Sequence, residues 1–464
     1  MTQPLAIVIL AAGQGTRMKS PGHAALPKVM HKLAGLPMIG WLLKTAQALD
    51  PEKIIVVVGP DMKELEQFVR PHETVIQEVR DGTAGALRTA LPKLKGFTGD
   101  VLVLVGDMPL VRKETLEQLV KARGGRSNPA ISLLGCALDN PYGYGRLIMS
   151  ADDILERIVE EKDASPKEKQ VKLINTGACC IDGTRIESWL SQIGNDNAQG
   201  EFYLTDLPEI AAREGALTRV VMAGDATEIQ GCNTRLDLAA LESAVQGRLR
   251  TELMTAGVSL LDPASTYLHH DTQIGAGSLV EPHVFFGAGV KAAENVHIKA
   301  FSYLEGVMIG KNAAVGPFAR LRPDTQIGEE VRIGNFVEIK KSKIAARCKI
   351  GHLAYVGDTV MGEDVNFSAG AITVNYDGFQ KHKTLIGKNV MVGSNVNLVA
   401  PLKIDDGAFI AAGSTITEDV PADALSIARD AAQIREGWAA RYRKNEKYGQ
   451  KRKNACEMMF FRIE

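Results

Sequence analysis

Two sets of residues in this chain could do chemistry. The first opens with Leu10, Ala11, Ala12 and Gly13, runs through Gln14-Gly15-Thr16-Arg17-Met18, and is followed by Leu26-Pro27-Lys28. Glycines at the C-terminal end of an aliphatic run let backbone N–H groups approach phosphate closely, and Arg17 and Lys28 supply the positive charge a triphosphate needs. A bare Gly-x-Gly is more often a turn; the longer string followed by Pro-Lys is far more specific. Gly106-Asp107 closes a second aliphatic run at 101–105. A carboxylate there, in the crevice where open α/β sheets bind ligands, suits Mg²⁺ bridging phosphates, although a lone Asp more often caps a helix.

The second set lies late in the chain. Arg322, Lys340 and His352 fall in the strings Arg320-Leu321-Arg322-Pro323, Glu338-Ile339-Lys340-Lys341 and Gly351-His352-Leu353-Ala354-Tyr355. Histidine titrates near neutral pH and is the natural general base for an amine that must lose a proton as it attacks. A lone histidine is more often structural, but this one sits beside Tyr355 and Asn366. Arg322 and Lys340 are spaced to stack on successive turns of a solenoid. Stacked cations repel unless an anion lies between them, so the pair predicts a phosphate site; two separate surface charges are the plainer alternative.

The elements that must position these residues follow from periodicity. Aliphatic residues recur every six positions across 274–420: Ile274, Val280, Phe286, Ala292 and Ile298, then Ile309 to Ile339, then Ile386 to Ile416. That period suits neither helix nor alternating strand and marks a parallel β-helix. The register slips near 304–309, 339–344 and 356–361. It fails between 373 and 385, where Asn375-Tyr376-Asp377-Gly378 and Lys381-His382-Lys383 form an excursion loop. Before residue 236, aliphatic strands at 5–10, 54–58 and 101–105 alternate with amphipathic stretches at 38–49 and 62–69, as in a Rossmann-like α/β domain with helices on both faces. Leu238, Leu241, Val245, Leu249 and Leu253 form a helical stripe ended by Gly257. The expected division is 1–235, a helical linker 236–257, and 258–464. Beyond Asp419 the tail is expected to be helical and basic, with 444–453 solvated.

Composition narrows the function classes. A chain of 464 residues with formal net charge −1 has no general electrostatic case for nucleic acid or an anionic membrane surface. No apolar stretch approaches membrane-spanning length, and the N-terminus lacks a signal-peptide pattern. The six cysteines, irregularly spaced and without a Cys-x-x-Cys pair, fit buried thiols in a reducing cytoplasm.

The string from Leu10 to Met18 followed by Pro27-Lys28 resembles the sugar nucleotidyltransferases. With the hexads behind it, nearly all of residues 5–440 is similar to the bifunctional bacterial family that combines N-acetylglucosamine-1-phosphate uridyltransferase with glucosamine-1-phosphate N-acetyltransferase. The 20–25 loop is a few residues longer than usual there, and Ala84-Gly85 stands where Gly-His is common. The resemblance implies that Gln77, Gly82 and Thr83 read uracil. It implies that Asp107 and Asn233 hold Mg²⁺, and that Gly143, Glu160 and Asn175 contact the sugar. In the second domain it assigns the glucosamine phosphate to Arg322, Lys340, Tyr355 and Asn366. Ala369, Ser394, Ala412 and Arg429 fall to acetyl-coenzyme A, and Asn375 and Tyr376 to the bound substrates from the loop. It further implies a left-handed β-helix, a homotrimer, and UTP, glucosamine-1-phosphate, N-acetylglucosamine-1-phosphate and acetyl-coenzyme A as ligands. The alternatives are a single-activity nucleotidyltransferase with an allosteric or oligomerising solenoid, and a non-enzymatic scaffold.

Overall fold

The computed structural model describes residues 3–15, 18, 26–125, 128–150 and 154–444. The N-terminal unit carries β1 (Leu5–Leu10), α1 (Met38–Gln47), β2 (Lys53–Val58), α2 (Lys63–Phe68), β3 (Glu73–Ile76), α3 (Thr83–Leu94), β4 (Asp100–Val105) and α4 (Lys113–Arg123). It continues through β5 (Ile131–Ala137), β6 (Gly145–Met149), β7 (Leu155–Val159), β8 (Leu173–Asp182), α5 (Ile186–Gln192), α6 (Leu207–Arg213) and β9 (Thr218–Met222). Together the strands make one nine-stranded sheet with the order β9-β5-β8-β4-β1-β2-β3, and β6 and β7 hang from β8.

The reason β1 is an unbroken aliphatic run is that both its faces are buried. Ala6 and Val8 enter the core covered by α3, α5 and α6. Ile7 and Ile9 enter the opposite core, covered by α1, α2 and α4. Helices therefore lie on both faces, as the alternation predicts. The sheet is mixed: β1, β2, β3 and β4 pair in parallel, whereas β8 runs antiparallel to β4 and β5. The chain travels from β5 to β8 through the β6–β7 hairpin, with no helical crossover of the kind a parallel pair needs.

α7 (Arg235–Thr255) connects the two units. Thr234 and Asp237 form a reciprocal capping box at its start, and Gly257 takes φ +90° just past its end. Its Leu241 and Val245 are buried in a cluster with Leu33, Met38 and Leu110 of the N-terminal unit, while its Leu249 and Leu253 pack against the solenoid core. The helix is tied to both sides. Glu242 Oε2 accepts from Ala34 N (2.8 Å), and Gln246 exchanges two hydrogen bonds with the backbone of Leu268 (2.7 and 2.9 Å).

From Ser259 the chain winds into three parallel sheets of ten, eight and eight strands. The hexad residues from Ile274 through Ile416 fall in one continuous core. Between the first and last turns the regular coils advance by 17 or 18 residues: Leu279 faces His297, which faces Ala314. The coil with the excursion is longer, since Asn366 faces Met391.

One expectation for the tail is overturned. Residues 420–437 are not helical: Leu425–Ser426 pairs with Phe409–Ile410 as a last partial coil, and α8 begins only at Trp438 (Trp438–Lys444). Ladder hydrogen bonds on an open solenoid end outweigh the local helical tendency there. Residues 445–464 lie outside the described set, so the solvated basic stretch is not placed. Among the described residues no helix is long and apolar enough to cross a membrane. Cys136, Cys179, Cys180, Cys232 and Cys348 are buried free thiols, and burial pushes Cys179 up to about 12.

Candidate functional site

At the C-terminal end of β1 the chain turns away from the sheet, and residues 11–15 form an open loop. Gly15 has φ +64°, and a Cβ there would stand 2.6 Å from Lys28 Cβ, so a side chain would push Lys28 aside. Leu10, Ala11, Ala12, Gly13, Lys28, Gln77, Gly82, Thr83 and Asp107 line one cavity of about 270 Å³. Gly106 backs it, its N–H donating to Leu10 O (2.9 Å). Arg17 and the 20–25 loop lie outside the described residues.

Within this cavity Lys28 Nζ donates to Asp107 Oδ2 and to Asn233 Oδ1 (3.3 Å). Asn233 precedes the α7 N-cap, and its own N–H donates to Asp237 Oδ2 (2.9 Å). One carboxylate and one amide oxygen thus face a single cation, which is the hard-oxygen donor set that suits Mg²⁺. Gln77 is buried, and its Nε2 donates to Asp81 Oδ1 (3.0 Å) and Gly82 O (3.2 Å), which fixes the amide. Thr83 Oγ1 accepts from Leu204 N (3.0 Å), and Phe202 O accepts from Ala84 N (2.9 Å). The 202–204 segment thereby braces the cavity wall at Gly82 and Thr83. Arg80 was not anticipated: it lines the cavity and donates from Nε to Ala12 O (2.7 Å).

The three residues assigned to the sugar stand outside that cavity. Gly145 pairs with Asn175, and a Cβ on Gly145 would lie 3.4 Å from Glu160 Oε1. Gly143 N donates to Glu161 Oε2 (3.2 Å). Glu160 is half-buried and accepts from Thr205 Oγ1 (3.2 Å). Burial holds its carboxyl above the usual range, against the lowering effect of the Thr205 bond.

The second constellation forms where the solenoid register slips. Leu321 pairs with Ile339, so Arg322 and Lys340 follow in the same register on neighbouring coils. Part of the expected repulsion is met internally, because Arg322 Nη1 donates to Glu338 Oε1 (2.7 Å). Lys340 is pressed instead by Lys381 from the excursion loop: that neighbouring ammonium, followed by burial and the charge of Arg322, lowers its pKa. Lys381 was read only as part of the loop, since nothing in its spacing marks contact with residue 340. Tyr355 and Asn375 meet over Gly357, where a Cβ would lie 2.6 Å from the Tyr355 hydroxyl and from Asn375 Nδ2. Asn375 is buried, with Nδ2 on Asp358 Oδ2 (2.5 Å), while Tyr376 is exposed. Asn366 Nδ2 donates to Ser368 Oγ (3.2 Å).

His352 is exposed at the end of its strand, Lys349–His352, and its Nδ1 meets Asn335 Oδ1. A ladder of backbone bonds follows this corner upward: Gly370 N to His352 O (3.2 Å), Asn395 N to Ala369 O (2.8 Å) and Gly413 N to Ser394 O (2.8 Å). His352, Ala369, Ser394 and Ala412 therefore occupy one column, and Arg429 lies beyond it, its Cδ 3.9 Å from a Cβ placed on Gly413. The left-handed corner residues change character at the same level. Below, His283, Phe301, Phe318 and Phe336 stack at 4.9, 4.9 and 5.1 Å between ring centroids. Above Leu353 the corner positions become Gly370, Asn395 and Gly413, all at positive φ. Bulk thus ends at His352, and a narrow track of small residues begins.

Comparison with known proteins agrees with both halves. Residues 7–137 match the MobA-like NTP transferase domain, 303–399 the GMPPB C-terminal domain, and 383–418 six bacterial transferase hexapeptide repeats. Bifunctional protein GlmU of Paramagnetospirillum magneticum is 47% identical over 95% of this chain and 96% of its own length. The proteins of the same name from Zymomonas mobilis and Azorhizobium caulinodans are 43% and 45% identical, over 96% and 95% of this chain and 99% and 97% of their own lengths.

Proposed function

The chain belongs to the bifunctional GlmU family, and on that premise we propose that it makes UDP-N-acetylglucosamine in two steps on two sites. The C-terminal unit transfers acetyl from acetyl-coenzyme A to the amine of glucosamine-1-phosphate. The N-terminal unit joins N-acetylglucosamine-1-phosphate to UTP and releases pyrophosphate.

The observation that carries the acetyl step is the column of small residues rising from His352, with three crowded cations, Arg322, Lys340 and Lys381, at the far end of the next sheet's strands. In this reading the cations hold the sugar phosphate and the track holds the pantetheine arm. His352 takes the proton of the attacking amine, and no protein nucleophile is needed. An idle solenoid would have no reason to carry a histidine, a track of small residues and three crowded cations on neighbouring faces.

For uridylyl transfer, the loop after β1 offers N–H groups to the phosphates and Lys28 adds charge. Gln77 with Gly82 reads the base, and Glu160 with Asn175 holds the sugar hydroxyls. Asp107 and Asn233 would hold Mg²⁺, which when bound supplies charge neutralisation on the phosphates. Positioning and charge account for such a transfer without a covalent enzyme intermediate.

A homotrimer in a cytoplasmic setting completes the proposal. It would cover Met308, Val360 and Leu385, which are exposed along one flat face of the solenoid. Sedimentation should give about three times the 50.0 kDa chain mass, and a monomer would remove this part. The central test is thiol release from acetyl-coenzyme A with glucosamine-1-phosphate. The wild type should show it, and His352→Ala should lower it about 10²-fold or more. No release from folded protein that still turns over UTP would reduce the chain to a single-activity nucleotidyltransferase.

A further inference from the structure

We propose that Asn335 is a positioning residue for acetyl transfer: its amide oxygen keeps the proton on His352 Nδ1 and leaves the Nε2 lone pair to accept the amine proton. The inference rests on the reading of His352 as the base. The two residues end neighbouring strands, Arg332–Asn335 and Lys349–His352, with their Cα atoms in direct register. Leu353 N donates to Asn335 O (3.0 Å) and Gly370 N to His352 O (3.2 Å), so the corner backbone is held on both sides.

An exposed imidazole has no intrinsic choice of tautomer or ring orientation that would suit catalysis. An amide oxygen can only accept, so the contact of Asn335 Oδ1 with Nδ1 requires the proton there. Among the described residues it is the only hydrogen bond to the ring. The charged and titratable groups on adjacent strands are Arg332 and Lys349 on the same sheet, and Glu338, Lys340 and Tyr355 past the corner. Glu338 is taken by Arg322, and none of these groups bonds to the imidazole. The reaction balances without another reagent. The amine nitrogen forms its bond to the thioester carbonyl carbon as the C–S bond breaks. Nε2 takes the amine proton and returns it to the departing thiolate.

The test is kcat and KM for thiol release as a function of pH in wild type, Asn335→Ala and Asn335→Asp, with UTP turnover as the folding control. Asn335→Ala should lower kcat about tenfold or more while KM for acetyl-coenzyme A stays within about twofold. Asn335→Asp, an acceptor of the same shape, should recover most of the rate. Its acid limb should move up by roughly one pH unit, because a carboxylate favours the imidazolium. Wild-type kcat and pH profile in Asn335→Ala would overturn the inference, as would a deeper loss in Asn335→Asp than in Asn335→Ala. If His352→Ala itself kept full thiol release, the base assignment would fall first, and the two failures would be told apart.

Discussion

Lys28 and Asp107 form an ion pair that joins the loop after β1 to the loop after β4, and the same ammonium reaches Asn233 Oδ1 at 3.3 Å. Three chain segments far apart in sequence thus present two oxygens and one cation to a single point. With side chains 15% and 22% exposed, the pair is shielded enough for its field to act on a bound phosphate.

That geometry predicts separable activities. Asp107→Asn should cut pyrophosphate release from UTP about 10²-fold or more while thiol release from acetyl-coenzyme A is unchanged. Chelation with EDTA should abolish the first activity, spare the second, and be reversed by added Mg²⁺. Parallel loss of both activities on chelation would mean that a metal has a structural role instead.

Glu160 should trade stability for sugar binding. Burial raises its folded pKa above the unfolded value. As pH rises through the unfolded pKa toward the folded one, the unfolded chain gives up its proton first and folding stability falls. Glu160→Gln should therefore raise Tm at pH 7 and have little effect near pH 4, while KM for N-acetylglucosamine-1-phosphate rises. Equal Tm for the two proteins at pH 7 would contradict the burial argument.

Lys340 is expected to lose its proton at lower pH than an ordinary lysine, since Lys381 crowds it. Its charge is present below the lowered pKa and lost above it. KM for glucosamine-1-phosphate should accordingly climb on the alkaline side earlier than a lone lysine would cause. Lys381→Met should move that climb to higher pH while weakening binding at neutral pH. An alkaline limb indifferent to Lys381→Met would separate the two residues.

The small-residue column gives a steric prediction. Ala412 is exposed and contributes nothing to the core, so Ala412→Leu should leave Tm nearly unchanged. It should raise KM for acetyl-coenzyme A by about tenfold or more by filling the track. An unchanged KM would place the coenzyme elsewhere on the solenoid.

Much of the fold was legible because one-dimensional patterns have direct physical causes. An aliphatic residue at every sixth position has nowhere to go but the interior of a three-sided coil, and Ile274 through Ile416 are there. Leu5–Leu10 reads as a buried strand because both faces need apolar side chains. The Gly257 stop of α7 was likewise local. The antiparallel placement of β8 was not, because strand direction depends on which neighbour the chain reaches, and Leu173–Asp182 carries no mark of it.

The same division runs through the sites. Sequence alone determined which residue types carry phosphate, metal and proton chemistry, and the three-hexad repeat that sets Arg322 beside Lys340. Tertiary structure decided the partners. A coil of 18 residues would have put Gly334 beneath His352. The register slip shortens that coil to 17, so Asn335 lies there and can hold the imidazole. Lys381 reaches Lys340 only because the excursion loop folds back across the solenoid. The slip at 339–344 is visible in the spacing, but which side chain then meets the imidazole, and a contact set by a loop's return path, depend on how the whole coil closes, and no local spacing encodes them.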